Sequence, residues 1–370
     1  MHVDHRNALF LALLMILSSL LVYLPFWLNE TSFLSSSISI TSMDVLYRYW
    51  DGPLYVVVSQ TLYESTPLLE FGSLPPYYYS AHLVFYPAFI RLFSFVLFPF
   101  DAMLLATLFF AVLSVITFYF LVKEFKYTKH PLFLSVIFVF FPVRWLIYHS
   151  VGATEAPFIF LVLASFYFFK RNQYWLSAAF GALAATTRVF GVTLFAFYAL
   201  YFLWKRRVQW RSALPYLLIP LALFLHFLYY HFVYGDFFVY ASVNSFVLQW
   251  LPFQAVIGYG GAAVGEYWML LYLLYGAGIA RLYQQRRFDL VLFALILYLP
   301  ALFLSHNDVA RYLLPAFPFA LLIAFEDIWS NKLVKYPLVP FLFGAYLHVW
   351  HVLPLNLMPA EEFARLLSLL

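Results

Sequence analysis

Residues 8–28 read ALFLALLMILSSLLVYLPFWL and residues 101–122 read DAMLLATLFFAVLSVITFYFLV. Each approaches the ~20 apolar residues that carry a helix across a bilayer, and no soluble core of 370 residues hides several such runs. Charged residues make up 10% of the chain and hydrophobic ones 65%, whereas a soluble domain carries about 25% charged residues. The expected fold class is therefore an all-α polytopic membrane protein. The first run is longer than the roughly 7 to 15 apolar residues of a secretory signal and lacks an obvious cleavage site, so it is read as a retained span. With no cysteine, disulfides, thiolate metal sites and cysteine nucleophiles are excluded. The 45 Phe and 30 Tyr exceed what two interfacial belts need, so many must pack between helices or line a cavity.

About eleven spans follow, at roughly 8–28, 101–122, 131–149, 155–169, 174–187, 190–204, 213–233, 267–283, 288–304, 311–328 and 336–353. Charge tests the threading, because loops that remain cytoplasmic accumulate Lys and Arg. Arg6, Lys123, Lys126, Lys129, Lys170, Arg171, the run Lys205 to Arg207, Arg211, Arg281, Arg286, Arg287, Lys332 and Lys335 fall on one side, 15 of the 21 basic residues. Arg48, Arg91, Arg144, Arg188, Arg311 and Arg365 fall on the other. Every lysine is then cytoplasmic, with the N-terminus inside and the C-terminus outside. The expected location is the cell membrane of a prokaryote or the endoplasmic reticulum membrane of a eukaryote.

Residues 80–100 are apolar enough to span, but counting them would place Lys123, Lys126 and Lys129 outside, and Pro87, Arg91 and Pro99 interrupt them. They are read as a helix at the outer interface. The chain is then one domain, 1–370, with a first extracytoplasmic loop at 29–100 carrying interfacial helices and a second extracytoplasmic segment at 234–266. The fifth and sixth spans are short and meet at Thr186, Thr187 and Arg188, which suggests an outer cavity that thins the membrane there. No internal repeat is visible, which weakens a transporter reading.

Of the 17 carboxylates, only Asp4, Glu124, Asp289, Glu326 and Asp327 share the lysine side, so chemistry should face out. Asp51 has the most specific surroundings, between Tyr49-Trp50 and Gly52-Pro53. It reads either as the cap of the helix that Gly-Pro opens or as a general base beside an aromatic wall of Trp50 and Tyr55. Asp44 is the second candidate base. Arg311 lies among Ser305, His306, Asn307, Asp308 and Tyr312, as an anion ligand or the ion-pair partner of Asp308. Arg188 reads as a phosphate ligand or the partner of Glu155. His149 and His306 are candidate hydrogen-bond donors to sugar or phosphate, and Asp236, after a glycine, is a candidate for acceptor binding or a turn residue. No histidine pair has metal spacing, and the first loop lacks a D-x-D element, so no metal or other cofactor is expected.

Several of these pieces together are similar to a known family. Trp50-Asp51-Gly52 soon after the first span, Phe85-Tyr86-Pro87-Ala88-Phe89, Thr154-Glu155 opening a span, Thr187-Arg188 before Gly191, Gly235-Asp236 with Gln249-Trp250, and Arg311-Tyr312-Leu313-Leu314-Pro315 resemble the PIG-V-type mannosyltransferases of the GT-C superfamily. The chain departs from the family's pattern at Ile90 and at Val189-Phe190. The resemblance implies a GT-C bundle and an inverting reaction, in which mannose or a similar hexose passes from a polyprenyl- or dolichyl-phosphate donor to a hydroxyl of a glycolipid or glycan on the extracytoplasmic side. With such a donor, the candidates read from the residues take these places: Asp51 as base, Arg311, Arg188, His306 and Tyr312 at the donor phosphate, and Trp50, Tyr55, Glu155, Asp236 and His149 at the substrates. Inversion needs one base only, and arginine suits bidentate phosphate contacts. The expected partners are donor, acceptor and membrane lipids, with no nucleic acid and a monomeric chain. The competing function is a lipid or solute transporter without transferase activity.

Overall fold

The computed structural model describes residues 2–29, 42–64, 74–204, 210–245, 247, 249–259 and 261–370; Glu70 and the basic run at 205–207 lie outside them. Among the described residues the chain is helical, without strands beyond one antiparallel bridge between Tyr49 and Leu357. Five helices are long and apolar enough to cross a membrane: Asp4–Trp27, Pro99–Glu124, Trp210–Tyr234, Ala263–Gln284 and Lys332–Leu355. Shorter apolar helices, Pro131–Phe140, Tyr174–Ala185, Val189–Trp204 and Phe288–Leu302, together with Glu155–Lys170, complete the bundle.

All eleven apolar runs coincide with helical segments, but two are broken. The third divides at Pro142 into Pro131–Phe140 and Val143–Tyr148. The tenth passes through Val309–Leu313, a 3-10 turn at Leu314–Ala316, a π-helical turn at Pro318–Ile323 and Glu326–Ser330. Proline accounts for both breaks, since it removes an amide from the ladder; Phe141, before Pro142, is also extended, whereas Leu314 and Phe317, before Pro315 and Pro318, stay helical. Proline in the first turn also opens the helices at Pro53, Pro99 and Pro131. Residues 80–100 form no helix long enough to be counted among the five: a nine-residue helix, Phe85–Phe93, buries Phe85, Tyr86, Pro87 and Ile90 on one face. The next helix starts at Pro99, and a later one covers Ala262–Gln284.

Glu155–Lys170 sets the polarity of the bundle, because its two charged ends lie about 24 Å apart at 1.5 Å per residue. Around Lys170 gather Lys123 with Asp4, Lys170 with Asp289, Arg171 with Glu124 and Arg281 with Asp327. The turns there share one form: Lys126, Asn172 and Arg286 adopt φ of 54°, 60° and 57°. The amides that follow, Tyr127, Gln173 and Arg287, bond back to Val122, Phe168 and Leu282 at 2.9, 2.9 and 3.0 Å. These are Schellman closures, which satisfy the last free carbonyls of each helix. Between the ends, packing is aromatic, with Tyr198 stacked on Tyr216 at 3.7 Å and Phe166 against Phe293 at 4.3 Å.

Candidate active site

The end opposite the lysines is built from helix starts. Asp51 immediately precedes Gly52–Thr61 but does not cap it, since no amide of that helix bonds its side chain. Its carboxylate instead accepts from Arg311 Nη1 at 2.7 Å. Gly152 makes this placement possible: a Cβ there would stand 2.1 Å from Met103 Sδ. Only a bare backbone lets the 150–154 turn press against Met103 and bring the start of Glu155–Lys170 beside Asp51.

Glu155, 2% exposed, is the hub. Its Oε1 accepts from both Arg188 Nη1 and Arg311 Nε, and Oε2 lies 3.5 Å from Arg311 Nη2. Arg188 reaches it because the chain doubles back tightly after Tyr174–Ala185. A Cβ at Gly191 would lie 2.4 Å from the Ala184 carbonyl carbon. The two guanidiniums also rest on aromatic faces, Arg188 at 5.1 Å from the Tyr312 ring and Arg311 at 4.8 Å from that of Tyr148.

A second charge pair braces the first. Asp308 accepts from Arg144 Nε at 3.0 Å, from the Tyr148 hydroxyl at 2.7 Å and from the Arg311 backbone amide at 3.2 Å. It therefore caps the turn that carries Arg311 and leaves that guanidinium to Asp51 and Glu155. Of the two readings of Arg311, the ion pair with Asp308 does not form: Asp308 meets Arg311 through the main chain only.

Burial raises the Asp51 carboxyl, but Arg311, with His82 and His306, more than offsets it and holds the group below its ordinary 3.8. Burial likewise raises Asp308, and Arg144 outweighs it, so this carboxyl is lowered too. Burial depresses the His82 imidazole to about 4 against the opposing pull of Asp51, leaving it neutral at physiological pH. His306 is depressed by burial and then by Arg311. Its Nδ1 accepts the Asp308 amide at 3.0 Å, and its ring meets Tyr312 edge-on at 5.0 Å.

The structure thus gathers Asp51, Glu155, Arg188, Arg311, Tyr312 and His306. Trp50 is 48% exposed beside Asp51, whereas Tyr55 is buried, edge-on to His82 at 4.8 Å and to Tyr86 at 5.2 Å. Three expected residues do not join. Asp44 is exposed in the first turn of Asp44–Tyr47. Asp236 is exposed and accepts the Phe238 amide at 2.8 Å, which makes it a turn residue. His149 is fully buried, its Nδ1 3.0 Å from the hydroxyls of Ser19 and Ser150.

Sequence reasoning missed His82, Tyr148, and Asp308 with Arg144 as a brace. An Asp just ahead of a short helix signals a cap and could have found Asp308; nothing in the spacing points to His82. It also missed a lap by a distant segment. Trp50 donates its amide to Asn356 at 3.2 Å, Met358 donates to Arg48 at 2.8 Å, and the Arg48 guanidinium holds the Met358 carbonyl at 2.7 Å.

No protein family matches this chain, and no curated protein matches it. Among solved structures it is similar to the apo form of the Archaeoglobus fulgidus oligosaccharyltransferase, with a TM-score of 0.50 and 10% identity over 92% of this chain and 55% of that one. A structure of that enzyme tethered with an acceptor peptide containing the NVT sequon gives 0.48 and 11% over 93% and 55%. The chain thus spans about half the length of that enzyme. The first likeness, with the helical architecture, defines the fold: a polytopic membrane bundle of the GT-C type.

Proposed function

We propose that the chain is an inverting glycosyltransferase that moves a hexose, mannose by its motifs, from a polyprenyl-phosphate donor to a hydroxyl of a glycolipid or glycan. The observation that carries this reading is the carboxylate of Asp51, drawn off the helix it precedes and set against Arg311 beside the exposed ring of Trp50. The GT-C fold is consistent with it, since the structural neighbour is itself an oligosaccharyltransferase.

In this mechanism the acceptor oxygen attacks the anomeric carbon as the bond from that carbon to the phosphate oxygen breaks. Asp51, ionised at neutral pH, takes the hydroxyl proton. The polyprenyl phosphate leaves with the bonding electrons, and Arg311 and Arg188 neutralise the charge that develops on it. Glu155 holds both guanidiniums in place, Tyr312 and His306 line the phosphate, and the Trp50 ring offers a face to a sugar.

The reading includes a topology, with the lysine end cytoplasmic, the Asp51 end extracytoplasmic and the whole chain acting as one domain. The lack of native cysteine allows a direct check. A cysteine at Glu64 should react with an impermeant maleimide from outside, and one at Lys129 only after permeabilisation. Activity is tested by mass spectrometry of products formed by purified protein from polyprenyl-phosphate mannose and membrane extract. Lipid movement across liposomes without donor consumption would sink the transferase reading in favour of a transporter.

A further inference from the structure

At the lysine end four buried polar atoms have no hydrogen-bond partner among the described residues: the Tyr127 hydroxyl, Arg281 Nε, Gln285 Oε1 and Arg287 Nη1. They belong to one knot. The Arg287 guanidinium lies 5.7 Å from the centre of the Tyr127 ring, and Lys170 Nζ lies 5.9 Å from the same ring. Gln285 Nε2 donates to the Ala324 carbonyl at 3.0 Å, Arg281 donates to Asp327 at 2.5 Å, and Thr128 donates to Glu326 at 2.8 Å. The turn at 127–128, the end of Ala262–Gln284 and residues 324–327 therefore converge.

Three of the four unmatched atoms are donors, and native interiors rarely leave such groups without an acceptor. Charge points the same way. Lys170 is engaged by Asp289, whereas Arg287 makes no ion pair among the described residues. Tyr127, 7% exposed, and Arg287 each follow a residue in left-handed conformation. These two tight caps bring a phenol and a guanidinium together.

We infer that this knot binds a phosphate-type oxyanion, supplied by the headgroup of an anionic phospholipid. The guanidinium and the phenol donate to the phosphate oxygens, and Gln285 Oε1 accepts from a headgroup hydroxyl such as those of phosphatidylglycerol. Basic recesses between the ends of membrane helices suit this ligand. The site lies at the opposite end of the bundle from Asp51 and does not depend on the transferase reaction.

The test uses the full chain in nanodiscs of phosphatidylcholine alone or in equimolar mixture with phosphatidylglycerol, with thermal unfolding read by tryptophan fluorescence and retained lipid by native mass spectrometry. A parallel arm titrates inorganic phosphate in phosphatidylcholine. Phosphatidylglycerol should raise the unfolding temperature and leave one molecule per chain after delipidation. Arg287→Gln should weaken that retention roughly tenfold, the worth of a hydrogen bond to a charged group. Tyr127→Phe is the gentler variant and decides the matter should Arg287→Gln not fold. It should be at least as stable as the wild type in phosphatidylcholine, having lost an unmatched hydroxyl, yet gain less from phosphatidylglycerol. Equal stabilisation by inorganic phosphate alone would support the oxyanion site and name free phosphate as its source. An identical response to phosphatidylglycerol in wild type and both variants, or no response to either anion, would overturn the inference.

Discussion

At the lysine end most ion pairs are one to one and half in water: Lys123 with Asp4 has side chains 39% and 26% exposed, and Arg171 with Glu124 43% and 42%. At the other end Glu155 is buried and shared by two guanidiniums, one of which also holds Asp51. Pairs of the first kind contribute about 0.2–1 kcal/mol each. Charges of the second kind are costly to desolvate, and apolar residues of similar volume often stabilise a fold as well or better. Buried, coupled charges of this kind cluster at functional sites, and the proposed transferase reaction is what this network would serve.

The sharpest way to break this contrast is to remove one charge from the buried end without changing its shape. Asp51→Asn should lower transfer by about 10²–10⁴-fold, the usual worth of a positioned general base, with the fold and donor binding retained. Product formation and donor affinity measured on one preparation check this; full activity would remove Asp51 as base. Next in size, Glu155→Ala leaves Arg188 without a carboxylate and Arg311 with Asp51 alone, and should destabilise the protein by about 3–5 kcal/mol, read by unfolding in detergent.

A third test uses pH. Arg311 holds the Asp51 carboxyl below 3.8, so the base stays ionised until the pH falls through that lowered value, while the stability that it contributes is complete above 3.8 and is lost as the pH falls from there through the lowered value. Arg311→Gln removes the largest opposing influence and leaves burial to push the group up. The acid limb of the pH–rate profile should therefore move to higher pH, and an unmoved limb would detach Arg311 from the titration of Asp51. The smallest effect belongs to the other end: Lys123→Ala should change stability by less than about 1 kcal/mol, and that difference should shrink in high salt.

Much of the comparison was legible in the sequence. The partition of lysine from lone arginine needs only hydropathy and charge; it leaves 12 carboxylates and six arginines together, and it is local sequence, such as Trp50 and Gly52-Pro53 around Asp51, that narrows them. Why Asp51 differs from Asp44 or Asp236 was less visible, because an aspartate beside a glycine or ahead of a helix has the same local signature whether it caps, turns or reacts. Only the structure separates them, by bending Asp51 towards an arginine 260 positions later and leaving Asp236 on its own turn. The partner of Asp308 was hidden for the same reason: proximity in sequence offered Arg311 as one possibility, but Arg144 arrives from 164 positions away. The two broken spans also follow prolines that hydropathy averages over.

The lap of Asn356 and Met358 over Arg48 and Trp50 has a consequence for biosynthesis. The strip that carries Asp51 finds its backbone partners more than 300 residues further along the chain, at Asn356 and Met358. Synthesis must therefore run past every helix between Gly52–Thr61 and Lys332–Val352 before that strip can settle. Until Met358 has been made, the Arg48 guanidinium lacks the carbonyl that holds it.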